Sequence, residues 1–156
     1  MVFQLLAIAA LVASAASSSS SLMVGTDVYR IRPFSSSNDA KFLGDVCQGV
    51  YDGTYYLPEM AHSYEADSNC DFVVMEHETT GEMVAAGNRR VLNKAAARGG
   101  EKLVFWIEAI RVSTKHKGWG IATALMKEIC RRSREDGARE ILSCTVETNY
   151  STGIPY

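Results

Sequence analysis

Two hydrophobic periodicities meet in the middle of this chain. From Phe105 to Val112 the residues are β-branched and aromatic. Strict alternation would put Trp106, Glu108, Ile110 and Val112 on one face of a strand and Ile107, Ala109 and Arg111 on the other. From Ile121 the period changes. Ile121, Leu125, Met126, Ile129, Cys130 and Ser133 recur at helical spacing, with Lys127, Glu128, Arg131, Arg132 and Arg134 on the opposite side, where the arginines read as a solvated face. Between strand and helix lies Ser113-Thr114-Lys115-His116-Lys117-Gly118-Trp119-Gly120, a turn rich in positive charge and glycine.

The same patterns place the other elements. Asp27 to Phe34 carries Val28, Ile31 and Phe34 among polar residues and predicts a first strand. A Ser-Ser-Ser-Asn-Asp turn then opens a helix, with Ser37, Asn38 or Asp39 as caps and Phe42, Leu43, Val46, Cys47 and Val50 as its apolar stripe. An aromatic loop, Tyr51 to Pro58, leads into a short helix around Glu59 to Glu65. Asp71 to His77 and Met83 to Leu92 predict a hairpin turning at Gly81, with Gly87 leaving the second strand thin, either for close approach of a ligand or another backbone or as a bulge. Asn93 to Gly100 is a loop. After the long helix, stopped by Gly137, Ile141 to Val146 is one more strand. The order β, α, α, β, β, β, α, β is that of a mixed α+β (α/β) domain.

The junction before the long helix dictates the charge of a ligand. The first turn of a helix presents unpaired N–H groups and the positive end of the dipole, and glycines let the backbone approach an anion closely. Lys115 and Lys117 add full charges, so a pyrophosphate or a similar polyanion is the expected ligand. The six residues Lys117-Gly118-Trp119-Gly120-Ile121-Ala122 resemble the acetyl-CoA loop of the GCN5-related N-acetyltransferase superfamily, Gln/Arg-x-x-Gly-x-Gly/Ala, with Lys117 in place of Gln or Arg. Tyr51 to Ser63 and Ile107 to Val112 also look like the corresponding segments of its histidine N-acetyltransferase subgroup.

That resemblance implies the GNAT fold, a mostly antiparallel sheet flanked by helices, and acetyl-CoA as co-substrate, with no metal. Lys117, Gly118, Trp119, Gly120, Ile121, Ala122 and Thr123 would hold the cofactor's diphosphate. The backbone of Ile110 and Val112 would pair with its pantetheine arm, because in this fold the central strand splays from the next. Glu108 is the candidate base, whose structural alternative is an ion pair with Arg90 or Arg111. Tyr156, seven residues after Asn149, has the family's spacing for a general acid, although Pro155 is a poor neighbour within a helix. The aromatic segment between first and second strands would cover the acceptor, making Tyr55, Tyr56 and His62 substrate candidates. The family continues past the strand at Ile141–Val146 with a helix and two strands, so a C-terminally truncated domain is expected. The reaction implied is direct acetyl transfer to the amine of a small molecule or amino acid. An acyl-CoA-binding module without catalysis is an alternative. A dinucleotide-binding oxidoreductase, suggested by Gly118-x-Gly120, is disfavoured by Thr123 at the third glycine position.

Composition narrows the setting. With 156 residues, 47% of them hydrophobic, and a net charge of −2, the chain carries one core and no general affinity for nucleic acid. Four cysteines without CxxC spacing read as buried thiols and not as a metal site. Residues 1–24, with an apolar run from Leu5 to Ala13, an Ala-Ser-Ala site and a serine tract, read as a signal-like leader ahead of a domain spanning 27–156. The run is too short for stable membrane insertion. A leader points to the secretory pathway or a plastid; without one the protein would be cytoplasmic.

Overall fold

A computed structural model describes residues 19–49, 55–93 and 103–144. Six strands and three α-helices fall within them: β1 (Ser20–Val24), β2 (Asp27–Pro33), α1 (Ser36–Val46), α2 (Leu57–Ala66), β3 (Cys70–His77), β4 (Met83–Val91), β5 (Val104–Val112), α3 (Ile121–Glu135) and β6 (Glu140–Ser143). The strands form one sheet in chain order. Every pairing is antiparallel except β5 with β6, which are joined by the α3 crossover. This is the expected α+β architecture. Leader residues 1–18, the loop from Val50 to Thr54 and everything after Cys144, including Asn149 and Tyr156, lie outside the described residues.

The two sheet faces bury different helices. On one, Leu43 and Val46 of α1, Cys47 just past its end, and Leu57, Ala61 and Tyr64 of α2 cover Phe72, Val74, Ala86 and Ala109. On the other, Ile121, Leu125 and Ile129 of α3 cover Tyr29, Ile31, Val73, Met75, Ala85 and Ile107. Removing each large side chain from water contributes about 1.5–3 kcal/mol. Helix α1 begins at Ser36 with Ser35 as its N-cap residue and no side-chain cap. Asp39 instead reaches back, accepting the Ser35 N–H at 2.8 Å and a bidentate bond from Arg32 at 2.7 and 2.8 Å. Burial disfavours the charged Asp39, but these donors outweigh it and hold its carboxyl below the usual range.

Three expectations need correction. A strand, β1, precedes the one predicted at Asp27, so Ser20 to Val24, counted with the leader, are sheet residues paired to β2. That strand explains the second difference: Glu128 and Arg132 of α3 are not a solvated face but are 4% and 7% exposed. Ser20 Oγ of β1 donates to Glu128 at 2.6 Å, and Arg132 donates to Glu128 at 2.9 Å and to Ser20 at 3.0 Å. Finally, of the four cysteines only Cys47 is buried; Cys70 and Cys130 are partly buried, and Cys144 is exposed.

Candidate functional site

The central strand does not alternate as its sequence suggests. Asn88 pairs with Glu108 and Ala86 with Arg111, so Ala109 and Ile110 together oppose the single residue Gly87. This is a β-bulge, and Ala109 takes a positive φ of 57° to make it. The inserted residue shifts the phase. Glu108, Ala109 and Arg111 belong with the α1 and α2 side, whereas Ile107, Ile110 and Val112 pack on the α3 side. Glu108 therefore does not share a face with Ile110 and Val112, contrary to the alternating pattern. Gly87 is thin for a local reason. A Cβ there would lie 2.5 Å from Ile110 Cδ1 and 3.1 Å from Ile129 Cδ1, so the space is filled by the residue the bulge displaces.

The bulge also marks where β5 loses a neighbour. Its ladder with β6 ends at Ile107 opposite Ser143, among the described residues, while β4 follows it as far as Val112. Beyond Ile107 one backbone edge of β5, carrying Ile110 and Val112, is not covered by the described part of β6. The Ile110 carbonyl accepts Arg111 Nη1 at 2.6 Å.

Past β5, a single 3-10 turn at Thr114–His116 leads into α3. Gly118 and Gly120 adopt φ of 83° and 84°, a conformation that glycine takes without strain. Gly120 is the N-cap residue and makes no side-chain cap, so the amides of Ile121, Ala122 and Thr123 rely on a ligand or water. Ile121 directs its side chain into the core, Ala122 is half-buried and Thr123 exposed. Lys115 and Lys117 are exposed on the approach. Trp119 is 56% exposed and meets the buried His116 ring edge-on at 5.2 Å. His116 is thus a packing residue of the turn. Among the described residues no group of His, Cys, Asp and Glu could hold a metal.

On the α1/α2 side, Glu108 is held by two groups of β4. Asn88 Nδ2 donates to its Oε1 at 2.9 Å and Arg90 Nε to the same oxygen at 3.4 Å. Its Oε2 takes no bond from a described residue, and the side chain keeps 23% of its surface exposed. Arg90 also pairs with Asp67 at 3.4 Å and lies 5.8 Å over the Tyr64 ring. Burial first, then the Glu108 carboxylate, pushes the Tyr64 hydroxyl up, so it stays protonated near neutral pH. The sequence marks Asn88 and Arg90 only as polar residues in an apolar strand; strand register is what brings them to Glu108.

The three acceptor candidates separate. Tyr55 is a core residue, 6% exposed, with the Arg111 guanidinium 4.0 Å from its ring centre. Tyr56 is 43% exposed and stacks on Tyr55 at 4.6 Å. His62 stands on the exposed side of α2 with Ser63 Oγ 3.4 Å from its Nε2, on the far side of the helix from Leu57, Ala61 and Tyr64.

A profile of the Acetyltransferase (GNAT) family matches residues 41–153. The chain belongs to that family. A GNAT protein uses acetyl-CoA, and the uncapped, glycine-led start of α3 offers backbone amides of the kind that bind a diphosphate. Solved structures agree on the fold. An acetyltransferase from Trypanosoma brucei is 19% identical, with a TM-score of 0.62 over 82% of this chain and 93% of its own. Glucosamine-6-phosphate N-acetyltransferase from Arabidopsis thaliana is 18% identical, with a TM-score of 0.55 over 82% of this chain and 92% of its own. An aminoglycoside acetyltransferase from an uncultured soil metagenomic sample is 18% identical, with a TM-score of 0.62 over 80% of this chain and 82% of its own. Among curated protein sequences nothing matches.

Proposed function

We propose that this GNAT protein moves the acetyl group of acetyl-CoA directly to the amine of a small molecule or free amino acid, of the kind the histidine N-acetyltransferase subgroup takes. Glu108 is the base. The observation carrying this reading is the state of its carboxylate: Oε1 is held by Asn88 and Arg90, and Oε2 has no described partner, two residues before the uncovered edge at Ile110. The amine nitrogen attacks the thioester carbon, and its proton leaves to Oε2 directly or through one water. The carbon–sulfur bond breaks, and the CoA thiolate takes up a proton. A backbone N–H on the uncovered edge of β5 polarises the acetyl carbonyl as its oxygen gains charge. The amides of Gly120 to Thr123 fix the diphosphate, and Lys117 screens it.

A panel of free amino acids and polyamines, assayed for CoA release beside direct acetyl-CoA binding, tests this. Acetyl-CoA binding with turnover of at least one amine is expected. In that assay Glu108→Gln should cut kcat by about a hundredfold or more and leave acetyl-CoA affinity unchanged. Full activity of that variant across pH would remove Glu108 from its role, and cofactor binding without any turnover would reduce the protein to a binding module.

A further inference from the structure

Among the described residues Arg111 has no partner of opposite charge. Of the arginines that are wholly or partly buried among the described residues, Arg32 pairs with Asp39 and Glu76, Arg89 with Asp71 and Asp136, Arg90 with Asp67 and Glu108, and Arg132 with Glu128. Arg111 is the exception. Its Nη1 donates to the Ile110 carbonyl, its plane lies over the Tyr55 ring, and its Nε is buried with nothing to bond. A guanidinium has five donors, and leaving a buried donor unmet is costly, so this arrangement calls for an acceptor that the described residues do not supply. The bulge aims the side chain. By setting Ala109 aside, it returns Arg111 to the face of Glu108, under the aromatic start of α2.

We infer that Arg111 binds the carboxylate of the acceptor, so that the substrate is an α-amino acid and not a simple amine or polyamine. This rests on the acetyl-transfer reading, with Glu108 facing the amine. The spacing agrees. Glu108 and Arg111 are three residues apart along β5, roughly 7–10 Å at strand rise once the bulge shortens it. An α-amino acid with a hydrogen bond of about 2.8 Å at its amine and another at its carboxylate spans a similar length. Arginine suits the task because its planar fork meets both carboxylate oxygens at once.

The test compares each of a set of free amino acids with its decarboxylated amine, both as acetyl acceptors and as ligands of the CoA-loaded protein. The protein should favour the amino acid by about tenfold to a hundredfold. Arg111→Gln should erase that preference by raising KM for the acid, leaving kcat/KM for the amine within about twofold, and Arg111→Lys should restore part of it. An amine accepted as well as its amino acid, or an Arg111→Gln variant slowed equally towards both, overturns the assignment while leaving acetyl transfer intact. So does failure of every amino acid to bind the loaded protein. Carboxylate-selective, Arg111-dependent binding with no CoA release upholds the anion site and sinks the transfer reading.

Discussion

At the scale of single residues, the site depends on which atoms are committed and which are left open. Asn88 is fully buried and spends its side-chain N–H on Glu108 Oε1, with Cys70 Sγ 3.5 Å from the same nitrogen. Removing that amide frees the carboxylate to rotate away from an incoming amine. Asn88→Ala is therefore expected to lower kcat by about tenfold, with the acetyl-CoA dissociation constant within twofold of the parent's; paired steady-state kinetics and calorimetry check this. Glu108 was readable as a candidate because alternation put it on one strand face with Ile110 and Val112, a reason the bulge removes. Its orienting partners were not, since they lie on another strand and sequence spacing carries no register. The choice between Arg90 and Arg111 as its ion-pair partner likewise needed the register, which sets Arg90 diagonally across the ladder from Glu108, while Arg111 lies over Tyr55.

At the scale of elements, the strand–turn–helix unit was legible because its signals are local. The glycines, the basic turn and the 3.6-residue repeat fix where α3 begins, and the structure starts it at Ile121. The break in alternation at Ala109 was not legible, because an inserted residue leaves no compositional mark. Gly87 is its one trace. Gly87→Ala would press a Cβ against Ile110 and Ile129. Chemical denaturation should show it less stable by about 1–3 kcal/mol, with weakened cofactor binding as Ile110 moves. An unchanged midpoint would mean that the bulge relaxes freely and does not depend on that glycine.

At the scale of the whole molecule, β1 ties the beginning of the sheet to the helix that carries the anion site. Its Leu22 and Val24 pack on the α3 side, but they follow a serine tract counted with the leader, so the strand was not foreseen and the charged face of α3 looked solvated in sequence. The tie is ionic. Bonds from Arg131 hold the Glu128 carboxyl down to about 2, against the cost of burial and with help from Ser20 and Arg132. A carboxyl lowered in the folded state stabilises the protein above its ordinary value of 4.5, and the benefit is lost as pH falls through about 2. Glu128→Gln, which takes the nearer carboxylate from the buried Arg132 while Asp71 remains at 3.9 Å, should cost on the order of 3 kcal/mol at pH 7. Thermal melts should show that deficit shrinking between pH 4.5 and pH 2. Removing residues 1–24 takes Ser20 and β1 together; it should lower the melting temperature and, because Val24 would lie 3.7 Å from a Cβ at Gly120, loosen the anion turn as well.

The most direct measurement is an amide correlation spectrum of the protein titrated with CoA and, separately, with pantetheine, which lacks the diphosphate. The amides of Gly118 and of Gly120 to Thr123 should move with CoA and stay in place with pantetheine, while those of Ile110 and Val112 should move with both. Saturation by CoA that leaves Gly120 to Thr123 unshifted would contradict the account.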